Sequence, residues 1–350
     1  MCKLKNLQKW LVCIFISTLA YLHINTLSAQ ELTLLFVGDA MQHKSQITNA
    51  YRNGIYDYSS YFKYVKDYIS EADIAVFNLE VTLGGKPYTG YPAFSAPDEY
   101  AVALKNAGFN VFLTSNNHSL DKGKKGLERT IDILDSLQVR HLGTYKNADE
   151  KIRNHPMMLT KNDIRIAFLN YTYGTNGIRV TPPNIVNYID TIQIKNDIKD
   201  AKGFLNADLI VACVHWGDEY KLIQNKTQER LANLMVREGV DLIIGSHPHV
   251  VQPTQILKKD EEETSSGISQ LKTGESEISN VIVYSLGNFI SGMSKKDTDG
   301  GQMVKIVVAK KDFKTTIKSC AHQWVYVAKQ KNADKIDFTL LPVGQFENTK

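Results

Sequence analysis

Seven short, almost wholly apolar runs recur along the chain, and most give way to a polar loop and then to a stretch with helical spacing. They are Leu32 to Val37, Ile74 to Leu79, Val111 to Thr114, Ile164 to Leu169, Leu209 to Val214, Leu242 to Gly245 and Val281 to Leu286. Runs of this kind are strands covered on both faces, and their alternation with helices predicts an α/β fold around a largely parallel sheet. Helices are predicted from Ser60 to Ser70, Asp98 to Ala107, Gly126 to Leu137, Gln193 to Leu205 and Lys226 to Glu238. Asp98 after Pro97 reads as a helix start, and Gly108 as a stop. Beyond Gly301, the Met303 to Val308 and Phe338 to Leu341 runs predict further strands that close the sheet. No internal repeat and no clean interdomain linker is visible, so residues 30–350 read as one domain.

The polar residues that follow the runs carry the chemistry. The first run enters Gly38-Asp39-Ala40-Met41, the second ends in Asn78-Leu79-Glu80, and the third enters Ser115-Asn116-Asn117-His118. The Leu209 run enters the stretch His215 to Tyr220, the Leu242 run enters Gly245 to His249, and the Val281 run ends in Ser285 to Phe289. Ligands of open α/β sheets bind beyond the carboxyl ends of strands, so these residues are expected to meet in one crevice. A lone Asp after a strand is more often a turn former or cap, and a lone His more often an edge residue. Endings of this kind on six strands are hard to produce by capping alone. Carboxylates, an Asn carbonyl and imidazoles suit a divalent Mn, Fe or Zn ion. Pro248 restricts His247 to an extended backbone, by expectation.

Composition narrows the class. At 43% hydrophobic and 22% charged, with 22 Gly and 9 Pro in 350 residues, the chain can bury a large core, which rules out a disordered or collagen-like polymer. Lys3, Lys5 and Lys9 account for three of its 41 Lys and Arg, leaving 38 against 37 Asp and Glu in the remainder. That balance argues against a nucleic-acid partner. The same lysines, the apolar stretch Trp10 to Leu22 and the exit Leu27-Ser28-Ala29 predict an export signal over residues 1–29, cleaved before Gln30. The alternative is a retained anchor, although the stretch is shorter than the ~20 residues a spanning helix needs. Cys13 lacks the small preceding residue of a lipid-attachment site. The mature protein is therefore expected outside the cytoplasm, in the periplasm, in the cell envelope or secreted, with only Cys213 and Cys320 and no firm expectation of a disulfide. Residues 258–279 are polar enough to predict a mobile surface insertion, and Tyr171 to Asp190 predicts a long functional loop.

Taken in order from Gly38 to Phe289, the motifs GDAM, NLE, SNNH, HWGDEY, GSHPHVVQP and SLGNF resemble those of the CapA family, associated with poly-gamma-glutamate capsule synthesis, in the metallophosphatase-like, or calcineurin-like, superfamily. The resemblance covers most of the mature chain. It implies a four-layer α-β-β-α sandwich with a metal site at the strand ends. It also implies roles: Asp39 on a first metal, Glu80 as the bridging carboxylate, Asn117, His215 and His247 on a second metal, and His249 back on the first. His118 would be the acid beside the leaving group. Two departures stand out, because the superfamily's phosphatases carry His where this chain has Met41 and Asp where it has Glu80. A thioether is a poor ligand for a hard ion, which weakens the first position, unless His43 substitutes. The ligand roles that the resemblance implies thus make one tight site and at most a second, weaker one.

These residues permit metal-assisted hydrolysis of a phosphoester or amide bond, with His118 protonating the departing atom. The resemblance implies an acidic polymer or cell-envelope precursor as substrate, and membrane-associated capsule synthesis proteins as partners. Lys122, Lys124 and Lys125 would attract such a chain, or are simply a solvated helix start. A peptidase acting on amide bonds shares the same site. A non-catalytic envelope protein that binds or guides an anionic capsule polymer is the competing class. A ligase is disfavoured by the lack of a GxxxxGK[ST] loop.

Overall fold

The computed structural model describes residues 30–259, 277–332 and 335–349. The expected export signal and the body of the expected insertion lie outside them. The insertion is shorter than expected at both ends, because Lys258 closes one strand while Ile278 and Ser279 open the next.

Fourteen strands form one hydrogen-bonded ribbon. In chain order they are β1 (Gln30–Ala40), β2 (Ile74–Leu79), β3 (Val111–Leu113), β4 (Arg140–Leu142), β5 (Met157–Lys161), β6 (Ile164–Thr172) and β7 (Leu209–His215). There follow β8 (Leu242–Ser246), β9 (Val251–Lys258), β10 (Ile278–Leu286), β11 (Asn288–Ile290), β12 (Gly300–Lys311), β13 (Lys314–Asn332) and β14 (Lys335–Asn348). The main path runs β4-β3-β2-β1-β12-β13-β10-β8-β7-β6-β5. Pairing is parallel through β1, β2, β3 and β4, and again through β6, β7, β8 and β10. The strands added between and beside these blocks are antiparallel, except β11, which pairs with β1 in parallel, so the sheet is mixed rather than largely parallel.

Strand alternation builds the layers. Leu34 and Phe36 of β1, Val76 of β2 and Val111 of β3 point inward and share a buried cluster with Ile166 and Phe168 of β6, Val211 of β7 and Val283 of β10. Their neighbours Leu35, Val37, Phe77 and Phe112 point the other way, into a cluster with Tyr100 and Leu104 of a helix at Asp98–Ala107. On the far side, Leu169, Ala212 and Ile243 pack with Ile194 and Ile198 of Thr191–Gly203 and with Leu231 and Met235 of Lys226–Glu238. The order is helix, sheet, sheet, helix: the four-layer sandwich. Its two leaves are halves of one folded ribbon, joined between β10 and β13 by the single pair Ile278 and Ile317. Each large aliphatic side chain buried in these layers contributes about 1.5–3 kcal/mol.

Local chemistry fixes the helix ends. Asn225 accepts from the N–H groups of Thr227 and Gln228, and the Gln228 side chain returns to the Asn225 N–H, a reciprocal cap that starts Lys226–Glu238. Gly239 ends that helix at φ 103. The helix expected over 60–70 is instead a 3-10 turn at Ser59–Tyr61 and a short helix at Lys66–Ser70. Tyr61 and Phe62 are buried there against Phe338 and Phe289, and those anchors interrupt the helical path. Cys213 and Cys320 are both free and buried.

Candidate metal centre

The carboxyl ends of strands from both leaves deliver donors to one buried point. A Cβ on Gly38 would meet the Gly287 carbonyl oxygen at 1.8 Å, so only glycine allows β1 to pass this close to the turn before β11. The Asp39 N–H donates to that same carbonyl at 3.1 Å, which fixes the carboxylate at the end of β1. Asp39 Oδ1 accepts from Asn78 Nδ2 at 2.7 Å and Oδ2 from the His247 N–H at 3.1 Å. Glu80 leaves β2 with its N–H on the Ala40 carbonyl.

Glu80 is fully buried, and neither carboxylate oxygen has a hydrogen-bond partner. Its Oε1 lies 3.7 Å from His215 Nε2, 3.9 Å from His249 Nε2 and 4.0 Å from His118 Nε2. Burial, then the neighbouring Asp39, pushes its carboxyl well above the usual range. His247 Nδ1 is likewise buried and unpartnered. Burial holds His247 down at about 4 and His215 well below its ordinary value, so both imidazoles are neutral at neutral pH, with lone pairs to offer.

Partners on the far side of each ring set which nitrogen faces inward. His249 Nδ1 lies 3.1 Å from Asn288 Oδ1 and His215 Nδ1 lies 2.9 Å from Ser246 Oγ, so each Nε2 is turned toward Glu80. His215 Nε2 also meets Asn117 Oδ1 at 2.9 Å, and Asn117 Nδ2 donates to Asn176 Oδ1 at 3.2 Å. Two atoms that share one first-row ion at about 2.1 Å lie roughly 3 to 4 Å apart, the spacing found here. Three groups of donors have their ligand atoms within 4.8 Å of one another: Glu80 with His215 and His247, Asp39 with Glu80 and His249, and Glu219 with His247 and His249. Buried carboxylate oxygens without a donor, ringed by neutral imidazoles, fit a divalent cation.

All the expected ligands, Asp39, Glu80, Asn117, His215, His247 and His249, meet at this point, and His118 stands beside them. His118 Nδ1 is 2.7 Å from Asp121 Oδ2, which leaves its Nε2 facing the centre. One expectation changes, and two open points at the first position are answered. His247 is not extended: it has φ 100, and His249 has φ 60, strained values that aim the His247 N–H at Asp39. Met41 belongs to the apolar helix layer and not to the ring of donors. His43 offers no ligand either, since its Nδ1 accepts from the Gly292 N–H at 3.1 Å and it joins none of the donor groups.

Lys124 sits 3.8 Å from Glu128, within the helix Gly123–Ser136 that Lys122 precedes, as a helix start would have it. The loop after β6 does reach the site, through Asn176, although β6 itself extends to Thr172. Sequence reasoning passed over Glu219 and Asp121, along with the orienting residues Asn78, Ser246 and Asn288. The signal for Glu219 was its place inside the HWGDEY stretch.

Among known proteins, the family described as bacterial capsule synthesis protein PGA_cap matches residues 33–293. The capsule biosynthesis protein CapA of Bacillus anthracis is 31% identical over 275 residues, covering 75% of this chain and 60% of that protein. The PGA biosynthesis protein CapA of Bacillus subtilis (strain 168) is 27% identical over 280 residues, covering 76% and 65%. The aligned part thus spans less than two thirds of either relative. Among solved structures, a phosphatase of Mycoplasma pneumoniae has a TM-score of 0.47 at 15% identity, covering 85% of this chain and 95% of its own. A calcineurin-like phosphoesterase of Bacillus subtilis has a TM-score of 0.45 at 13% identity, covering 85% and 91%. On the family match over residues 33–293, the chain belongs to the bacterial capsule synthesis protein family PGA_cap.

Proposed function

We propose that this protein is an exported metal-dependent hydrolase that acts in the synthesis or processing of a capsule or cell-envelope polymer of the poly-gamma-glutamate type. The observation that carries the reading is the Glu80 carboxylate, buried without a hydrogen-bond donor among the imidazoles of His215, His249 and His118. The name of the Bacillus anthracis relative points to a capsule and that of the Bacillus subtilis relative to PGA, which the motif resemblance reads as poly-gamma-glutamate. Among the described residues no helix is long and apolar enough to cross a membrane.

Asp39, Glu80, Asn117, His215, His247 and His249 would hold the Mn, Fe or Zn ion. A bound divalent ion supplies Lewis acidity to a phosphoryl or carbonyl centre. The chain's own part is positioning and proton movement. Asn288, Ser246 and Asn176 lock the orientation of His249, His215 and Asn117. Asp121 accepts from His118 Nδ1–H and turns Nε2 toward the centre; as the imidazolium, His118 would give its Nε2 proton to the departing oxygen or nitrogen and keep the one at Nδ1. A protein that only bound polymer would have no use for the His118–Asp121 pair, which favours catalysis over the guiding role.

The test is to incubate metal-loaded protein with a phosphodiester, poly-gamma-glutamate and peptidoglycan fragments, and to follow products by mass spectrometry. Metal-dependent shortening of the γ-glutamyl chain is expected. Metal-loaded protein that turns over none of the three would overturn catalysis in favour of polymer binding. Protein recovered from the envelope or medium should begin at Gln30; an intact Met1 to Ala29 segment there would show an anchor instead.

A further inference from the structure

We propose that Glu219 is a protein ligand of the metal position on the His249 side of the centre, closing it from the solvent side. The assignment rests on the metal-dependent reading above. That position has few donors of its own, because Glu80 also belongs to the group formed with His215 and His247, and Met41 lies in the apolar layer. A tightly held first-row ion takes about four ligands. Glu219 is exposed, yet its carboxylate has ligand atoms of His247 and His249 within 4.8 Å. Of these, His247 presents a buried Nδ1 that nothing else satisfies.

The backbone holds Glu219 in place from both sides. Gly217 turns the chain at φ 89, a conformation that suits glycine. The next residue, Asp218, accepts from Asn225 Nδ2 at 2.7 Å. After Glu219, the Tyr220 N–H donates to the Pro248 carbonyl at 2.8 Å, between the two histidines in sequence. Gln252 Nε2 donates to the Lys221 carbonyl at 2.8 Å. The Tyr220 ring is 6.1 Å from the His249 ring and carries Lys295 Nζ 3.4 Å above it. With its neighbours pinned to the same turn that bears His247 and His249, the Glu219 side chain has little freedom left to lose on binding an ion. Packing does not explain the residue, since its side chain faces solvent, and a ligand role does.

Calorimetric titration of metal-free wild-type and Glu219→Gln protein with Mn²⁺ tests this. Two ions are expected to bind the wild type; in the variant the tighter one is unchanged and the weaker one loses at least tenfold in affinity. Melting of the two metal-free proteins should coincide, since Gln keeps the shape of an exposed side chain. Equal affinities for both ions in the two proteins would overturn the Glu219 assignment and leave the metal centre standing. A lower melting temperature of the metal-free variant would make Glu219 structural and overturn it too. No binding by the wild type would remove the metal reading and this assignment together.

Discussion

Replacing His118 by Ala is expected to slow turnover by about a hundredfold to ten-thousandfold, the range for a lost proton donor, with metal content unchanged. The ring is held on two sides, by Asp121 Oδ2 at 2.7 Å from Nδ1 and by the Phe94 ring packed edge-on at 4.6 Å, and the Phe94 N–H in turn donates to the same Asp121 oxygen. Only Nε2 is free to act, 4.0 Å from Glu80 Oε1, and His118 joins none of the donor groups. A substrate whose leaving group needs no proton should recover most of the lost rate, which a merely structural defect would not allow. Elemental analysis supplies the opposing outcome: if the variant loses its metal, His118 is a ligand.

Glu80→Gln should have effects of opposite sign with and without metal. In the metal-free protein the variant is expected to melt higher than the wild type, because it relieves a buried carboxylate that has no donor. The gap should widen with pH. The folded-state carboxyl lies well above its unfolded value, so the native wild type holds a proton that the unfolded chain has released, and its stability falls as pH rises between the two. That slope is about 1.4 kcal/mol per pH unit for one group. His247, lowered from 6.5 to about 4, acts with the opposite sign between those values, so the comparison belongs above them. Added metal should then protect the wild type strongly and the variant little, since Gln offers no charge to the ion. Melting curves at several pH values, with and without Mn²⁺, decide it. A metal-free variant that melts lower than the wild type at every pH would show that Glu80 already has a partner.

The sequence made the donors legible because each follows an apolar run that can only be a buried strand. Asp39, Glu80, His215 and His247 stand at such ends, and strand position alone brought them together. β13 was only faintly marked: Trp324 to Ala328 is its apolar run, with buried Val325 and Val327 alternating with half-exposed Trp324 and Tyr326, while most of the rest of Lys314–Asn332 is polar. The two leaves were legible only through the resemblance, which implied the four-layer sandwich; no local pattern marks the seam at Ile278 and Ile317 that folds one ribbon into both. Backbone strain at His247 and His249 answers to Asp39, more than two hundred residues earlier, which no window of sequence could show. Glu219 escaped although the HWGDEY stretch was singled out, because its placement comes from a turn pinned by Asn225 and Pro248, which nothing local marks.

The donors come from opposite leaves: Asp39 lies at the end of β1 and Glu80 and Asn117 follow β2 and β3, while His215 ends β7 and His247 and His249 follow β8. The site therefore has a place in time as well as in space. Neither leaf alone carries a full set of donors, so the binding point comes into being only when the ribbon has doubled over. A chain that crosses a membrane before folding would meet its ion on the far side, and the supply of metal there, rather than inside the cell, would decide which ion the finished protein carries.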